Sequence, residues 1–322
     1  MISLNMPVGE LYGWAICGKY LLRHLSKETD VGYIEGSFKE QIREGEDDAL
    51  VEDHRMPDCV NFGTIIHTLT PEFKPSCHSW GSKNIGYMFY EKEHVSNEQK
   101  KNLHRFSTIV AGSDWNAEVI RKNGFDCISV PQGVDQEIFK YKKPENEKFV
   151  IFSGGKWEPR KAQSIVIEAY KILKDKHKDV YLMGSWYNLF DEKLRHDMEK
   201  KTNGVKGLLK ITLCNHRDLA CYMHNTDIGV FPNTAEGGTN LVLMEYLSSG
   251  RPAIVNVSTG QKDVTHEDYA YCMDGKRLLD DTVDHLEYAY NHREELVEKG
   301  KLAHKAMKYF SWERMANRFL SL

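Results

Sequence analysis

Residues 149–183 read FVIFSGGKWEPRKAQSIVIEAYKILKDKHKDVYLM. An apolar run from Phe149 to Ser153 is followed by a glycine pair, then by a stretch with apolar residues at Ile165, Ala169, Ile172 and Leu173, then by a second apolar run from Val180 to Met183. Offsets of four, seven and eight place those four side chains on one stripe of a helix, while short apolar runs bounded by turn residues read as buried strands. Strand, helix, strand predicts a parallel sheet with helices on its faces.

The same alternation extends in both directions. Downstream, strands are expected at Leu208 to Leu213, Ile228 to Phe231 and Pro252 to Val255. Upstream, Ile2 to Leu4, Ile85 to Tyr90, Thr108 to Ala111 and Cys127 to Val130 read as strands, and Trp14, Cys17, Leu21, Leu22 and Leu25 share a helical face. Between the halves, KYKKPENEK (140–148) has tyrosine as its one apolar residue and contains a proline, the composition of a linker. A cut there gives domains 1–143 and 144–309, each near the ~150 residues that bury a core adequately. Residues 35–58 are highly charged with few apolar anchors and are expected to be a surface excursion.

Composition removes several function classes. The net charge of -4 gives no general attraction to nucleic acid or anionic lipid, so phosphate recognition must come from local clusters. Seven cysteines without a CxxC pair suit reduced thiols in a cytoplasmic compartment. The N-terminus lacks a signal-peptide pattern and no apolar stretch is long enough to span a membrane, so neither secretion nor a transmembrane segment is expected; peripheral membrane contact stays open. The GxGxxG, GxSxG and Walker patterns of dinucleotide, acyl and P-loop chemistry are absent. Cys214, His216, Cys221 and His224 match no usual zinc spacing, and no metal site is expected.

Two clusters stand at predicted strand ends, where parallel sheets gather ligands. In the first, Gly154 and Gly155 are expected to turn the backbone, and Lys156 and Lys161, five apart, could hold a pyrophosphate; alone they read more readily as a solvated pair. In the second, PNTAEGGTNLVLMEYLSSGRP (232–252), Gly237, Gly238, Thr239 and Asn240 are expected at a helix N-terminus whose unpaired N–H groups suit a phosphate. Glu236 and Glu245 bracket that turn and could accept from sugar hydroxyls, or else complement the dipole and face solvent.

Together these segments resemble the donor site of the glycogen-synthase-like (glycosyl transferases group 1) superfamily of retaining GT-B glycosyltransferases. VPQGVD (130–135), GSDWNAEVIRKNGF (112–125) and FSWERMANRFL (310–320) resemble further segments of that family, so the likeness spans residues 85–322. The resemblance implies two Rossmann-like doubly wound domains facing a central cleft, an acceptor domain over 1–143 with the terminal helix 310–322 packed back on it, and a nucleotide-sugar donor domain over 144–309. It implies Lys161 and Lys156 as phosphate ligands, Lys156 standing where the family has arginine and losing the bidentate fork. It implies Glu236 at the donor sugar and Glu245 at the ribose, with eight residues between them where seven are common.

Gly9 and Gly13 resemble the family's glycine loop, Arg217 its nucleobase contact, and Glu91, with His94 nearby in IGYMFYEKEHV (85–95), the position of its histidine. Glu91 is equally readable as an exposed helix residue, and Arg217 reads more readily as an exposed arginine at a helix start. The implied activity is metal-independent transfer of a sugar from a UDP- or GDP-sugar to a hydroxyl of a glycan or other acceptor, without a DxD motif and without a cofactor. A nucleotide-sugar-binding protein without turnover, and a GT-B phosphorylase or epimerase, are the alternatives.

Overall fold

The computed structural model describes residues 1–10, 12–37, 45–58, 63–211 and 213–322. The chain forms two compact units, one of residues 1–133, 237–239 and 310–322, the other of 134–236 and 240–309.

The first unit opens with strand β1 (Ile2–Asn5), helix α1 (Gly13–Glu28) and strand β2 (Val31–Ile34), followed by α2 (Glu46–His54), β3 (Arg55–Met56), β4 (Thr64–Thr68), β5 (Lys83–Met88), α3 (Asn97–Leu103), β6 (Thr108–Ala111), α4 (Asp114–Lys122) and β7 (Ile128–Ser129). Its strands form one parallel sheet in the order β3-β2-β1-β4-β5-β6-β7. Of the helical face expected from Trp14, Cys17, Leu21, Leu22 and Leu25, the last four are fully buried and Trp14 is half-buried.

The charged stretch 35–58 is not a plain surface excursion. Its residues 38–44 lie outside the described ones, but α2 is anchored by buried Val51 and by Asp47, whose carboxylate takes Lys19 Nζ of α1 at 2.9 Å. Burying an ammonium requires such partners, and Glu10 supplies the second at 2.7 Å.

The second unit continues with β8 (Phe149–Lys156), α5 (Gln163–Lys176), β9 (Val180–Tyr187), α6 (Glu192–Thr202), β10 (Leu208–Lys210), α7 (His216–His224), β11 (Ile228–Phe231), α8 (Leu241–Ser248), β12 (Ala253–Asn256), β13 (Ala270–Met273), α9 (Leu278–Asn291) and α10 (Arg293–Met307). Its sheet is parallel, in the order β10-β9-β8-β11-β12-β13. Ile151, Leu182, Val230 and Ile254 from four strands share a core with Val166 and Leu173 of α5 and Leu286 of α9.

Two local expectations are corrected here. Gly154 and Gly155 do not turn the chain; they extend β8, pairing with Ser185 and Trp186 of an equally long β9. The buried stripe of α5 is Val166, Ile167, Ala169, Tyr170 and Leu173, whereas Ile165 is only half-buried and Ile172 is 41% exposed. Gln163 sets that phase: it is buried, its Nε2 donating to Lys156 O at 2.8 Å, so positions three, four and seven residues on turn inward with it.

Residues 134–143 lie with the second unit, upstream of the 143/144 cut. Phe139 is fully buried and its carbonyl accepts from Ser248 Oγ at 2.8 Å, while the carbonyl of Lys142 accepts from the buried Arg251 guanidinium. The terminal helix α11 (Trp312–Leu320) lies with the first unit; Trp312 stacks on Tyr20 with ring centroids 4.8 Å apart and Phe319 meets Tyr87 at 5.2 Å. A side chain at Gly133 would come within 2.2 Å of Trp312 N, so this approach needs glycine.

Candidate functional site

In the second sheet, β8 and β11 are neighbours, yet the chain leaves β8 toward β9 on one side and β11 toward β12 on the other. Such a switch point opens a crevice outside the carboxyl ends of the two strands. The turns that follow β8 and β11 are therefore the first place to seek a ligand.

The turn after β8 is held rigid. Pro159 starts a short 3-10 turn through Lys161, Ala162 takes a left-handed φ of 52°, and Trp157 is buried with its Nε1 donating to Asp197 Oδ2 at 3.0 Å. The turn after β11 is stitched to it: Thr234 N donates to Arg160 O at 2.7 Å and Arg160 Nη1 donates to Ala235 O at 3.0 Å. Thr259 closes the far side, its Oγ1 accepting from Glu236 N at 2.7 Å.

Glu236 is the centre of this arrangement. Its side chain is buried, with Lys161 Nζ at 2.8 Å on Oε1, Arg160 Nη1 at 2.9 Å on Oε2, and Asn233 Nδ2 also donating to Oε1. Burial alone pushes this carboxyl up, but Lys161 and Arg160 outweigh it and hold Glu236 down at about 2. Lys156 sits beside it on Glu158 at 2.5 Å and over the Phe190 ring at 5.3 Å, and Arg160 also meets Glu158 at 2.7 Å. Three cations thus surround two carboxylates, leaving one net positive charge at the end of β8.

The expected residues divide as follows. Lys161 and Glu236 come together, Lys156 is linked to them through Glu158 and Arg160, and Gly155 lies against Lys161: a Cβ there would sit 3.6 Å from Lys161 Nζ, and its φ of 112° disfavours any side chain. Gly154 packs on Phe152 and Val242. Asn240, rather than the glycines before it, caps α8; it has a left-handed φ of 64°, its Oδ1 accepts from Leu243 N at 3.4 Å, and its Nδ2 donates to Gln261 Oε1 at 2.8 Å.

Glu245, on α8, is buried with His216 Nε2 3.5 Å from its Oε1. Burial pushes its carboxyl well above the usual range, and nearby Asp135 adds to this. Arg217 is exposed at the start of α7.

The remaining expected residues belong to the first unit. Gly9 is buried before α1 and donates its N–H to Ala15 O at 3.2 Å; Gly13 begins α1 with open space where a Cβ would stand. Glu91 and His94 are exposed. Gly237, Gly238 and Thr239 are buried, a Cβ at Gly237 would meet the Phe89 carbonyl carbon at 2.5 Å, and Gly237 O accepts from Ser113 Oγ at 2.9 Å.

Arg160, Glu158, Asn233 and His216 were not foreseen. Glu158 so close to Arg160 and Lys161 was a usable signal for an ion-pair cluster; in the sequence His216 stood out only with Cys214, Cys221 and His224 as a candidate metal set, and nothing there pointed it toward Glu245. His216 turns toward Glu245 and Phe139, whereas His224 Nε2 meets Lys140 O at 2.8 Å, so these two histidines serve different partners. Among the described residues, no group of three His, Cys, Asp or Glu could hold a metal ion, and no helix is long and apolar enough to cross a membrane.

Residues 147–291 match the family described as glycosyl transferases group 1. The chain is 24% identical over 147 residues to a phosphatidyl-myo-inositol mannosyltransferase of Mycobacterium tuberculosis, covering 44% of this chain and 37% of that protein. It therefore spans well under half the length of this curated relative. Sucrose-phosphate synthase from Thermosynechococcus elongatus superposes with a TM-score of 0.77 at 12% identity, covering 99% of this chain and 97% of that one. An Anabaena protein, HepE, solved with UDP and glucose, superposes with a TM-score of 0.73 at 12% identity, covering 99% and 98%. The likeness to these structures is one of fold, and the pair of parallel α/β units is the GT-B fold.

Proposed function

Since residues 147–291 belong to the group 1 glycosyltransferases, we propose that this chain is a glycosyltransferase that moves a sugar from a UDP- or GDP-sugar to a hydroxyl of a glycan or other acceptor. The observation that carries this reading is the Arg160–Glu236–Lys161 cluster at the switch point between β8 and β11. That UDP accompanies the Anabaena protein of like fold supports a nucleoside diphosphate as the leaving group.

In the proposed reaction the donor diphosphate lies against Lys156, Arg160 and Lys161. The bond from the sugar anomeric carbon to the phosphate oxygen breaks, its electron pair leaves with the nucleoside diphosphate, and the three cations stabilise the growing negative charge without a metal ion. The acceptor oxygen bonds to the anomeric carbon on the same face, with its proton passing to the departing phosphate, so configuration is retained. Glu236, kept ionised by its cations, accepts from donor sugar hydroxyls. Glu245 binds the ribose hydroxyls.

Thermal unfolding of wild type and Lys161→Ala with UDP, GDP and ADP tests the site, because a ligand at 100 times its dissociation constant adds about 2.7 kcal/mol. A shift with UDP or GDP that the variant loses is expected. No shift with any nucleotide overturns the reading, and an inverted product by NMR overturns retention.

A further inference from the structure

We propose that the second unit docks on anionic lipid bilayers through a lysine-rich face formed by residues 140–143 and the outer side of α10. The two segments are far apart in sequence but adjacent in the fold. Tyr141 turns inward, where a Cβ on Gly250 would come within 2.3 Å of its ring, and its ring lies 5.8 Å from that of His304 on α10. Its flanking residues are pinned by their carbonyls, Lys140 O to His224 Nε2 and Lys142 O to Arg251, which leaves the Lys140, Lys142 and Lys143 side chains exposed.

Helix α10 supplies the rest. Leu296, Gly300, Ala303 and Met307 face inward, with Gly300 so close to Gly250 that a Cβ would stand 2.2 Å from its carbonyl oxygen. The opposite side therefore faces solvent and carries Lys301, Lys305 and Lys308, at offsets of four and seven. Beside them stand Leu302, 46% exposed, and Tyr309, 57% exposed.

Over residues 137–148 and 298–309 there are eight lysines against four glutamates, in a chain whose net charge is -4. One of those glutamates, Glu298, pairs with Lys301 at 2.7 Å.

The mixture selects the partner. Clustered lysines draw any polyanion, but exposed leucine and tyrosine set among lysines gain most where an apolar layer lies beneath an anionic surface. Lysine stems bury along that boundary while their ammonium groups stay with the headgroups, and tyrosine favours the same depth. This face is independent of the Glu236 cluster.

Cosedimentation of the full chain with phosphatidylcholine vesicles, with and without phosphatidylserine, tests the proposal. Binding only to the phosphatidylserine vesicles is expected, with release at high salt. Lys301→Glu with Lys305→Glu should weaken it by about 20-fold or more, since each surface lysine contributes roughly fivefold. Leu302→Ser with Tyr309→Ser should weaken it several-fold at unchanged salt dependence. All substituted side chains are exposed, and circular dichroism together with a retained nucleotide-induced thermal shift separates this test from the donor site. Absence of vesicle binding, binding indifferent to these substitutions, or capture of an acidic peptide or RNA in place of vesicles overturns the proposal.

Discussion

Lys161 Nζ stands 2.8 Å from Glu236 Oε1, with 11% and 8% of the two side chains exposed. Removing one member of such a pair strands the other charge in a poorly solvated site, at about 3 to 5 kcal/mol, and Arg160 recovers only part of that. Lys161→Ala is expected to lower both stability and turnover, the latter by about 10² to 10³. Adding Glu236→Gln should restore much of the stability but none of the turnover, as read by urea unfolding and product formation. Recovery of turnover in the double variant would contradict the phosphate role of Lys161.

The two glutamates should have opposite pH signatures. Glu236 is held at about 2 in the fold, below the ordinary 4.5, so the stability it contributes is present above the unfolded value and fades as pH falls from 4.5 toward 2. The full effect is about 3 kcal/mol. Glu245 is raised, so the folded state holds its proton more tightly and the contribution is lost as pH rises above 4.5. At neutral pH, Glu236→Gln should destabilise and Glu245→Gln should stabilise; urea midpoints across pH 3 to 8 check the signs.

Glu158 pairs with both Lys156 and Arg160, so in the proposed reaction it would compete with the donor for them. Glu158→Gln frees both cations and should tighten UDP binding by about two- to fivefold, the size of an ion pair worth up to ~1 kcal/mol. Titration calorimetry reads this directly, and weaker binding would assign Glu158 to the ligand instead.

Arg251 is fully buried and donates to the carbonyls of Thr226, Lys142, Ser249, Gly250 and His224. These join the C-terminal ends of α7 and α8 to the segment after Val134. Arg251→Met leaves several buried carbonyls without a donor and should cost about 3 kcal/mol or more. A melting temperature unchanged from wild type would remove Arg251 from this role.

Much of the second unit was legible because most of its strands contain a short apolar run flanked by turn residues, as at Ile228 to Phe231, which a parallel sheet buries on both faces; β13 was not among the expected strands, and β10 is largely exposed. The first unit was less so: α2 is held by Lys19 and Asp47, an ion pair between segments with no shared pattern. Lys156, Lys161 and Glu236 were readable as strand-end residues, but the partners that set their chemistry were not. Arg160 reaches Glu236 only because β8 and β11 are neighbours, a property of strand order, and Glu158 takes up Lys156 only because the turn folds back.

The sequence by itself determined the alternation of strands and helices, the parallel sheets and the motif-bearing turns, since periodicity and turn chemistry are local. Tertiary structure alone decided the strand order, the assignment of residues 134–143 to the second unit, the opposite electrostatics of Glu236 and Glu245, and the meeting of Lys140–Lys143 with α10. Each of these depends on which distant groups share a low-dielectric or crowded space, and that is a fact of packing between segments far apart in the chain, where local pattern carries no information.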